Sequence, residues 1–166
     1  MPLVDPVAAT QLRAAFVNCT KGEARRANLP RDLSEQPWSD LDYLGWRDPQ
    51  APARGYLVAE HAGRLVAVVL RAPQVGTVRR SSMCSLCLTV RSGGVSLMVA
   101  PRAGRAGQHG HSTGTHMCAD LACSLYVRGR LTTSAPAVHE TLTVEQRVRR
   151  LRENLDVFLA RVLRPS

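Results

Sequence analysis

The sequence predicts an α+β fold in which two small lobes are closed by a C-terminal amphipathic helix. Two apolar segments with strand character, residues 56–60 and 65–71, are separated by a short turn and predict a β-hairpin. Residues 143–163 carry apolar side chains at helical spacing, which predicts a long helix packed on one face. Four of the five cysteines form two close pairs between these elements. The length of 166 residues suits one ordinary domain with a sizeable core.

Two short helices are predicted ahead of the hairpin. The first begins at Asp5, an N-cap residue that is followed by proline. The second covers residues 21–27, because Thr20 and Glu23 have the spacing of a capping box. The Trp- and Asp-rich segment that follows is expected to be irregular, with one helical turn near residues 40–44.

The central part of the chain is expected to alternate between hairpins and loops. The turn between the two apolar segments contains Gly63, which supplies the positive φ that a tight hairpin turn needs. A second hairpin is expected in the cysteine region, from residues 88–91 through a Ser-Gly-Gly turn to residues 95–100. Residues 101–116 are rich in glycine and histidine and are expected to form a loop. The helical segment after them ends at Gly129, a favourable C-cap residue.

The last helix is the clearest element of the sequence. Thr143 and Gln146 form a capping box at its start. An apolar stripe along one face is formed by Val144, Val148, Leu151, Leu155, Phe158, Leu159 and Val162. Most of the arginines of this segment lie off the stripe, so we expect the stripe to pack on the rest of the protein.

The charge and composition favour an anionic partner. The formal net charge is +9, and Lys21 is the only lysine among the basic residues. An excess of this size attracts RNA or an acidic protein surface. No apolar run reaches the length of a membrane span, and the N-terminus lacks the features of a signal peptide. We therefore expect a cytoplasmic protein with reduced thiols.

The paired cysteines indicate one metal ion. Cys84 and Cys87, in the run CSLC, have the spacing of a zinc knuckle. Cys118 and Cys123 are further apart, so a regular helix would direct their side chains about 140° apart. Cys118 is therefore expected just before the helix or in its distorted first turn, with Cys123 inside the helix. Knuckle, hairpin, loop and helix then follow one another in the order of a treble-clef zinc finger.

Four thiolate ligands would close the coordination sphere of one structural zinc ion. Such a site carries a formal charge of about −2. We expect this charge to be offset by nearby arginines: Arg79, Arg80, Arg102 and Arg128. The alternatives are free buried cysteines or two disulfides in an exported chain, or replacement of one thiolate by His109, His111 or His116. Cys19 is interpreted as a small core residue.

The cysteine region resembles a known family. CSLC and the run GVSLMVAPRAGRAGQHGHSTGTHMCADLACSLYVRG are similar to the C-terminal treble-clef zinc-finger domain of the elongation factor G-binding proteins, the FusB type. The stretches FVNCTKGEARRANLP, WSDLDYLGWRDP and GYLVAE resemble the single-domain members from high-GC bacteria. The chain is thus identified as one such domain over residues 1–166, with sub-lobes at 1–80 and 81–130 and a C-terminal helix at 141–164.

The resemblance implies a non-catalytic function. Proteins of this family bind elongation factor G and help it leave the ribosome when fusidic acid has trapped it there. They do so by shifting the populations of the factor's bound states. FusB-type resistance proteins also carry an N-terminal helical bundle, which we do not expect in this chain. Binding to the factor, with one structural zinc ion, is therefore the main expectation.

Five residues are candidates for contact with the factor, because they lie on or beside a glycine-rich connection next to the zinc site: Arg102, Arg105, His109, His111 and Thr115. Alternatively, this connection only wraps the metal site. A second hypothesis is an RNA- or ribosome-binding zinc module. Its phosphate contacts would come from Arg79, Arg80, Arg91, Arg128, Arg130 and the arginines of the last helix. The shortage of aromatic residues for base stacking argues against it.

Nothing in the sequence indicates an enzyme. Asp40, Asp42 and Asp48 cluster in the Trp-rich segment, but no base, nucleophile or open metal site accompanies them. A solvated or capping role is expected for these carboxylates. The chain lacks the glycine-rich phosphate loop and the nucleophile motifs of common enzymes, and we expect no small-molecule substrate.

Overall fold

A computed structural model describes residues 5–72, 81–133 and 141–164. Their α-helices are α1 (Ala9–Ala14), α2 (Lys21–Arg26), α3 (Arg105–Gln108), α4 (Cys123–Val127) and α5 (Val144–Leu163). Short 3₁₀ helices lie at Leu33–Glu35 and Trp38–Asp40, the second of them earlier than the helical turn expected near residues 40–44. Their strands are β1 (Leu44–Arg47), β2 (Arg54–His61), β3 (Arg64–Arg71), β4 (Ser81–Met83), β5 (Val90–Ser92), β6 (Val95–Pro101) and β7 (Ser112–Cys118). Five strands form one antiparallel sheet in the order β1-β2-β3-β6-β7, and β4 pairs with β5. The α+β fold class is confirmed.

The hairpin of β2 and β3 is the centre of the sheet, as the sequence predicts. Its two-residue turn has positive φ at both Ala62 (51°) and Gly63 (77°), the conformation that matches the twist of the flanking strands. Strand β1 extends the sheet on one side and was not predicted. Trp46 on β1 packs against Tyr56 on β2 with ring centroids 5.2 Å apart, so this strand is stabilised by tertiary contact rather than by its local sequence.

The first helix starts later than predicted. Its N-cap is Ala8, whose N–H donates to Gln11 Oε1 at 3.0 Å, and not Asp5. The chain leaves the helix early because it pairs with β3: Ala67 N–H donates to Ala15 O at 2.9 Å, and Val17 N–H donates to Ala67 O at 3.0 Å. Helix α2 begins at the capping box that the sequence predicts.

The prediction of a second hairpin, from residues 88–91 to residues 95–100, is wrong. Strand β5 pairs with β4, whereas β6 pairs with β7 and meets β3 at Arg71 and Val99. The predicted loop at residues 101–116 contains both α3 and most of β7. Strand β7 lies at the edge of the sheet and exposes alternate polar side chains, which is why its sequence resembles a loop.

Helix α5 packs against β7 and α4 and completes the core. The residues of its predicted stripe from Leu151 onwards are buried, whereas Val144 is 43% exposed. Burying each large apolar side chain contributes about 1.5–3 kcal/mol before entropy is counted. The main sheet joins β1–β3 of the first predicted lobe to β6 and β7 of the second. No helix in the described ranges is both long and apolar enough to cross a membrane.

Asp42 is a fully buried carboxylate, which corrects the expectation of a solvated or capping role. Arg128 donates to it from both terminal nitrogens at 2.6 and 3.1 Å, and Arg152 Nε donates at 2.8 Å. The backbone N–H of Asp42 donates to Ser124 Oγ at 2.9 Å. One carboxylate therefore joins the segment before β1 to both α4 and α5.

The two neighbouring aspartates differ from Asp42. Asp40 forms a partly exposed ion pair with Arg130 at 3.3 Å. Asp48 is buried and caps its own turn by accepting from Gln50 N–H at 2.9 Å, and it also accepts from the Tyr56 hydroxyl at 2.9 Å. These contacts are structural, and none of them resembles an acid–base pair.

Candidate metal centre

The first cysteine pair forms a knuckle in the loop between β4 and β5. The backbone N–H of Cys87 donates to Cys84 Sγ at 3.4 Å, so the turn presents an amide to a sulfur. Leu88 closes the turn by donating its N–H to Cys84 O at 2.9 Å, and it has a positive φ of 57°. Both sulfurs therefore point to the same side of a fixed turn.

The second pair is divided between two elements. Cys118 is the last residue of β7, and Cys123 is the first residue of α4. Between them Leu121 has a positive φ of 58° and donates its N–H to Cys118 O at 2.9 Å. This tight turn reverses the chain, so both thiols face the knuckle although a regular helix would separate them.

The four sulfurs fit one tetrahedral zinc ion. The Sγ atoms of Cys84 and Cys123 are 3.6 Å apart, as are those of Cys87 and Cys118, and all four sulfurs lie within 4.8 Å of one another. Zinc–sulfur bonds of about 2.3 Å in a regular tetrahedron separate the sulfurs by about 3.8 Å. The thiols are free and buried, and no histidine belongs to the cluster in the described chain. The cysteines form a single structural zinc site.

Ionisation of the deeply buried Cys123 thiol requires a compensating positive charge. Burial raises the pKa of the Cys123 thiol well above its ordinary value. A zinc ion supplies the positive charge that stabilises four thiolates, and binding it releases their protons. Folding of the cysteine region is thereby coupled to zinc binding.

The knuckle is also fixed from outside by α5 and β7. Asn154 Nδ2 donates to Leu86 O at 2.9 Å, and Arg150 donates to Cys87 O at 3.4 Å. On the other side, Ser85 N–H donates to His116 O at 2.8 Å. The polar groups of the last helix therefore position the metal-binding turn, in addition to the apolar stripe.

Arg91 is the arginine that lies beside the thiolates. Its guanidinium stacks over the Tyr126 ring at 4.3 Å, donates to the Tyr126 hydroxyl at 2.8 Å and lies 3.5 Å from Asp120. Burial acts against its charge, but its contacts with Cys118 and Asp120 outweigh burial and raise the pKa of Arg91. Burial and the hydrogen bond to Asp120 raise the pKa of Tyr126 to about 12, so its hydroxyl stays protonated.

The charge compensation expected from the sequence is different in the structure. Arg128 pairs with Asp42, and Arg102 lines a cleft beside α3. Arg79 and Arg80 lie outside the described residues. From the sequence, Arg91 is expected among the possible phosphate contacts rather than beside the metal. Its approach to Cys118 depends on the pairing of β5 with β4, which the sequence pattern did not indicate.

Tyr43 is a second residue near the zinc site that sequence reasoning missed. Its hydroxyl is fully buried without a hydrogen-bond partner among the described residues. Burial, followed by the proximity of Cys123, raises its pKa well above the usual value. The phenol therefore stays neutral and leaves its O–H next to a sulfur that carries negative charge in the zinc-bound state.

The five predicted contact residues occupy three environments. Arg105 and His109 are exposed at the two ends of α3. Arg102 and His111 line a cleft of about 560 Å³, and the backbone N–H of Arg102 donates to His111 O at 2.9 Å. Thr115 is only 8% exposed and lies opposite Met98 in the sheet, so its side chain is not presented at the surface.

The knuckle, the hairpin that ends in the third cysteine and the helix that begins with the fourth define a treble-clef zinc-finger protein. The sequence matches the family described as the FBP C-terminal treble-clef zinc-finger over residues 11–162, which is nearly the whole chain. The chain therefore belongs to this FusB-type family. No curated protein and no solved structure matches it.

Proposed function

We propose that the protein binds elongation factor G without catalysing a reaction, and that it promotes release of the factor from the ribosome. The observation that carries the proposal is family membership over residues 11–162. The zinc site agrees with a binding role, because four thiolates leave no open position for a water molecule or a substrate.

The proposed contact surface is the connection between β6 and β7, the two strands of the zinc hairpin. Helix α3 lies on this connection and exposes Arg105 and His109. The hydrogen bond between Arg102 and His111 closes the connection at its base, so the surface is held on a fixed scaffold. A basic surface on a chain of net charge +9 accelerates association with an acidic patch on the factor.

Release requires unequal affinity for two states of the factor. A partner can shift an equilibrium only by the difference between its affinities for the two states. Tighter binding to the released conformation than to the ribosome-bound one would draw the factor off the ribosome without any chemical step. We expect this activity in the cytoplasm, where the factor works.

The contacts of the described arginines favour a protein partner over RNA. Arg128 is paired with Asp42, Arg130 with Asp40, and Arg91 is stacked on Tyr126. Three of the proposed phosphate contacts are therefore already engaged within the protein.

Calorimetric titration of the zinc-loaded protein into elongation factor G from the same cells tests the proposal, at low and at physiological salt. We expect saturable one-to-one binding that persists at the higher salt. Arg105→Glu should weaken it by about tenfold or more, because the change places a negative charge in the contact surface. Arg64→Glu, at the far turn of the β2–β3 hairpin, is the matched control. Absence of binding, or binding only to ribosomes with a steep dependence on salt, would contradict the proposal.

A further inference from the structure

A cleft of about 560 Å³ lies between the segment after α1 and the connection that carries α3. One wall contains residues 17–20 and Glu23, and the other contains Arg102 and residues of the α3 connection up to Ser112. Arg71 and Val99, the residues at which β3 meets β6, also line it. The cleft thus adjoins the surface proposed above but uses residues from the first half of the chain.

The fold holds this cleft open in a fixed shape. The side of β3 that faces away from β2 pairs first with the segment after α1, at Ala67, and then with β6, at Arg71. These two neighbours therefore diverge between Ala67 and Arg71 of β3. Asn18 lies at this divergence. Its Nδ2 donates to Val69 O at 2.9 Å and to Pro101 O at 3.0 Å, and its Oδ1 accepts from Val69 N–H at 2.8 Å. One side chain therefore connects the segment after α1 to two strands, β3 and β6, beside the cleft.

The cleft has excess positive charge. Arg71 and Arg102 of the described lining carry two positive charges against one carboxylate, and Arg71 also lies directly opposite Arg54 of β2, an arrangement of like charges that costs stability. Within the described ranges no ion pair includes Arg54, Arg71 or Arg102, and Arg102 Nε is buried without a hydrogen-bond partner. The one carboxylate of the described lining, Glu23, accepts from Thr20 N–H at 3.3 Å as part of its capping box.

We propose that this cleft binds an acidic side chain of an extended peptide segment, held between Arg71 and Arg102. Guanidinium groups bind carboxylates through paired, charge-assisted hydrogen bonds, which would give both arginines a counter-ion. The inference builds on the proposed function, since the segment would belong to elongation factor G.

The lining favours a peptide over RNA. None of the described lining residues is Phe, Tyr or Trp, so His111 offers the one ring in the described lining on which an unpaired base could stack. Val17, Val99 and Pro101 provide an apolar floor for the aliphatic part of a peptide side chain.

The cleft is tested independently of the factor with an N-acetylated hexaglutamate peptide. The probe is titrated into the zinc-loaded protein while the Nε–H signals of arginine are followed by NMR. We expect saturable shifts of the Arg71 and Arg102 signals, and at least about tenfold weaker binding for Arg71→Gln and Arg102→Gln. Arg64→Gln should bind like the wild type, since its position is about 23 Å along the strand from Arg71. Hexaglutamine should leave the signals in place.

The outcomes separate the cleft from the proposed function. The proposal that the cleft binds an acidic side chain is overturned if the arginine signals do not shift, or if the glutamine variants bind hexaglutamate as tightly as the wild type does. It is also overturned if a hexauridylate probe binds in the cleft as tightly as hexaglutamate. If the factor binds the wild type and Arg71→Gln equally well, the assignment of the cleft to a segment of the factor is wrong, whereas the proposed function stands. If the factor does not bind but hexaglutamate does, the proposed function fails while the cleft remains an acidic-peptide site. Thermal melting of each variant checks that it is folded. A further variant, Arg71→Lys, keeps the positive charge of the side chain but removes the paired donors of the guanidinium group.

Discussion

Replacing the carboxylate of Asp42 should destabilise the whole protein. Asp42→Asn keeps the size of the side chain but removes the charge that Arg128 and Arg152 share. Both arginines would then remain near the protein interior without a counter-ion, since their side chains are only 14% and 25% exposed. The contacts among the segment before β1, α4 and α5 should weaken together.

The magnitude follows from the three charge-assisted hydrogen bonds that the carboxylate accepts. At about 1.5–3 kcal/mol each, their sum overestimates the effect, because the amide oxygen of asparagine keeps part of the bonding. Breaking a buried ion pair by removing one partner costs about 3–5 kcal/mol. Partial exposure of both arginines places the expected loss near 3 kcal/mol, which would lower a urea midpoint by about 1.5 M.

Urea unfolding of the zinc-saturated protein, followed by circular dichroism, measures this loss. Asp40→Asn is the matched control, because its ion pair with Arg130 has side chains that are 27% and 65% exposed. Such a pair contributes less than about 1 kcal/mol. If Asp42→Asn shifts the midpoint no further than Asp40→Asn does, the Asp42 carboxylate does not join the three elements.

Three further predictions concern other sites. Arg91→Met should weaken zinc binding by about tenfold or more in a competition with a chelating dye, because it removes the cation beside Cys118; unchanged affinity would contradict this role. Gly45→Ala should cost about 1–3 kcal/mol, since its Cβ would lie 2.6 Å from Leu121 Cβ, whereas Gly114→Ala has no contact closer than 3.4 Å and should melt near the wild type. At Asp48, burial raises the pKa, but hydrogen bonds from Asn28, Gln50 N–H and Tyr56 outweigh it and lower the pKa overall. The stability that this carboxylate contributes is therefore present above its unfolded pKa of about 3.9 and is lost as the pH falls through the lower folded value. The difference in stability between wild type and Asp48→Asn should shrink below about pH 4, and a difference that is constant with pH would contradict the assignment.

The elements with strong local signals could be predicted from the sequence. The capping boxes at Thr20 and Thr143 mark the starts of α2 and α5, and the central hairpin follows from two apolar segments around Gly63. The zinc ligands also have a local signal, because metal geometry restricts the spacing of cysteines. In each case a few neighbouring residues determine the structure.

The features that sequence reasoning missed depend on distant partners. Strand β7 has a polar sequence and is a strand because it pairs with β6, and Arg91 reaches the zinc site because β5 pairs with β4. The role of Asp42 requires Arg128 and Arg152, which are 86 and 110 residues away in the chain. No local pattern distinguishes a buried carboxylate with remote partners from a solvated one.

Native mass spectrometry of the purified protein mixed with elongation factor G counts the bound zinc ions and the partner molecules in one spectrum. We expect a complex of one chain, one zinc ion and one molecule of the factor, with the metal retained when the complex dissociates. A folded chain without metal would contradict the four-cysteine site. A zinc-loaded chain that forms no complex would contradict the proposed function.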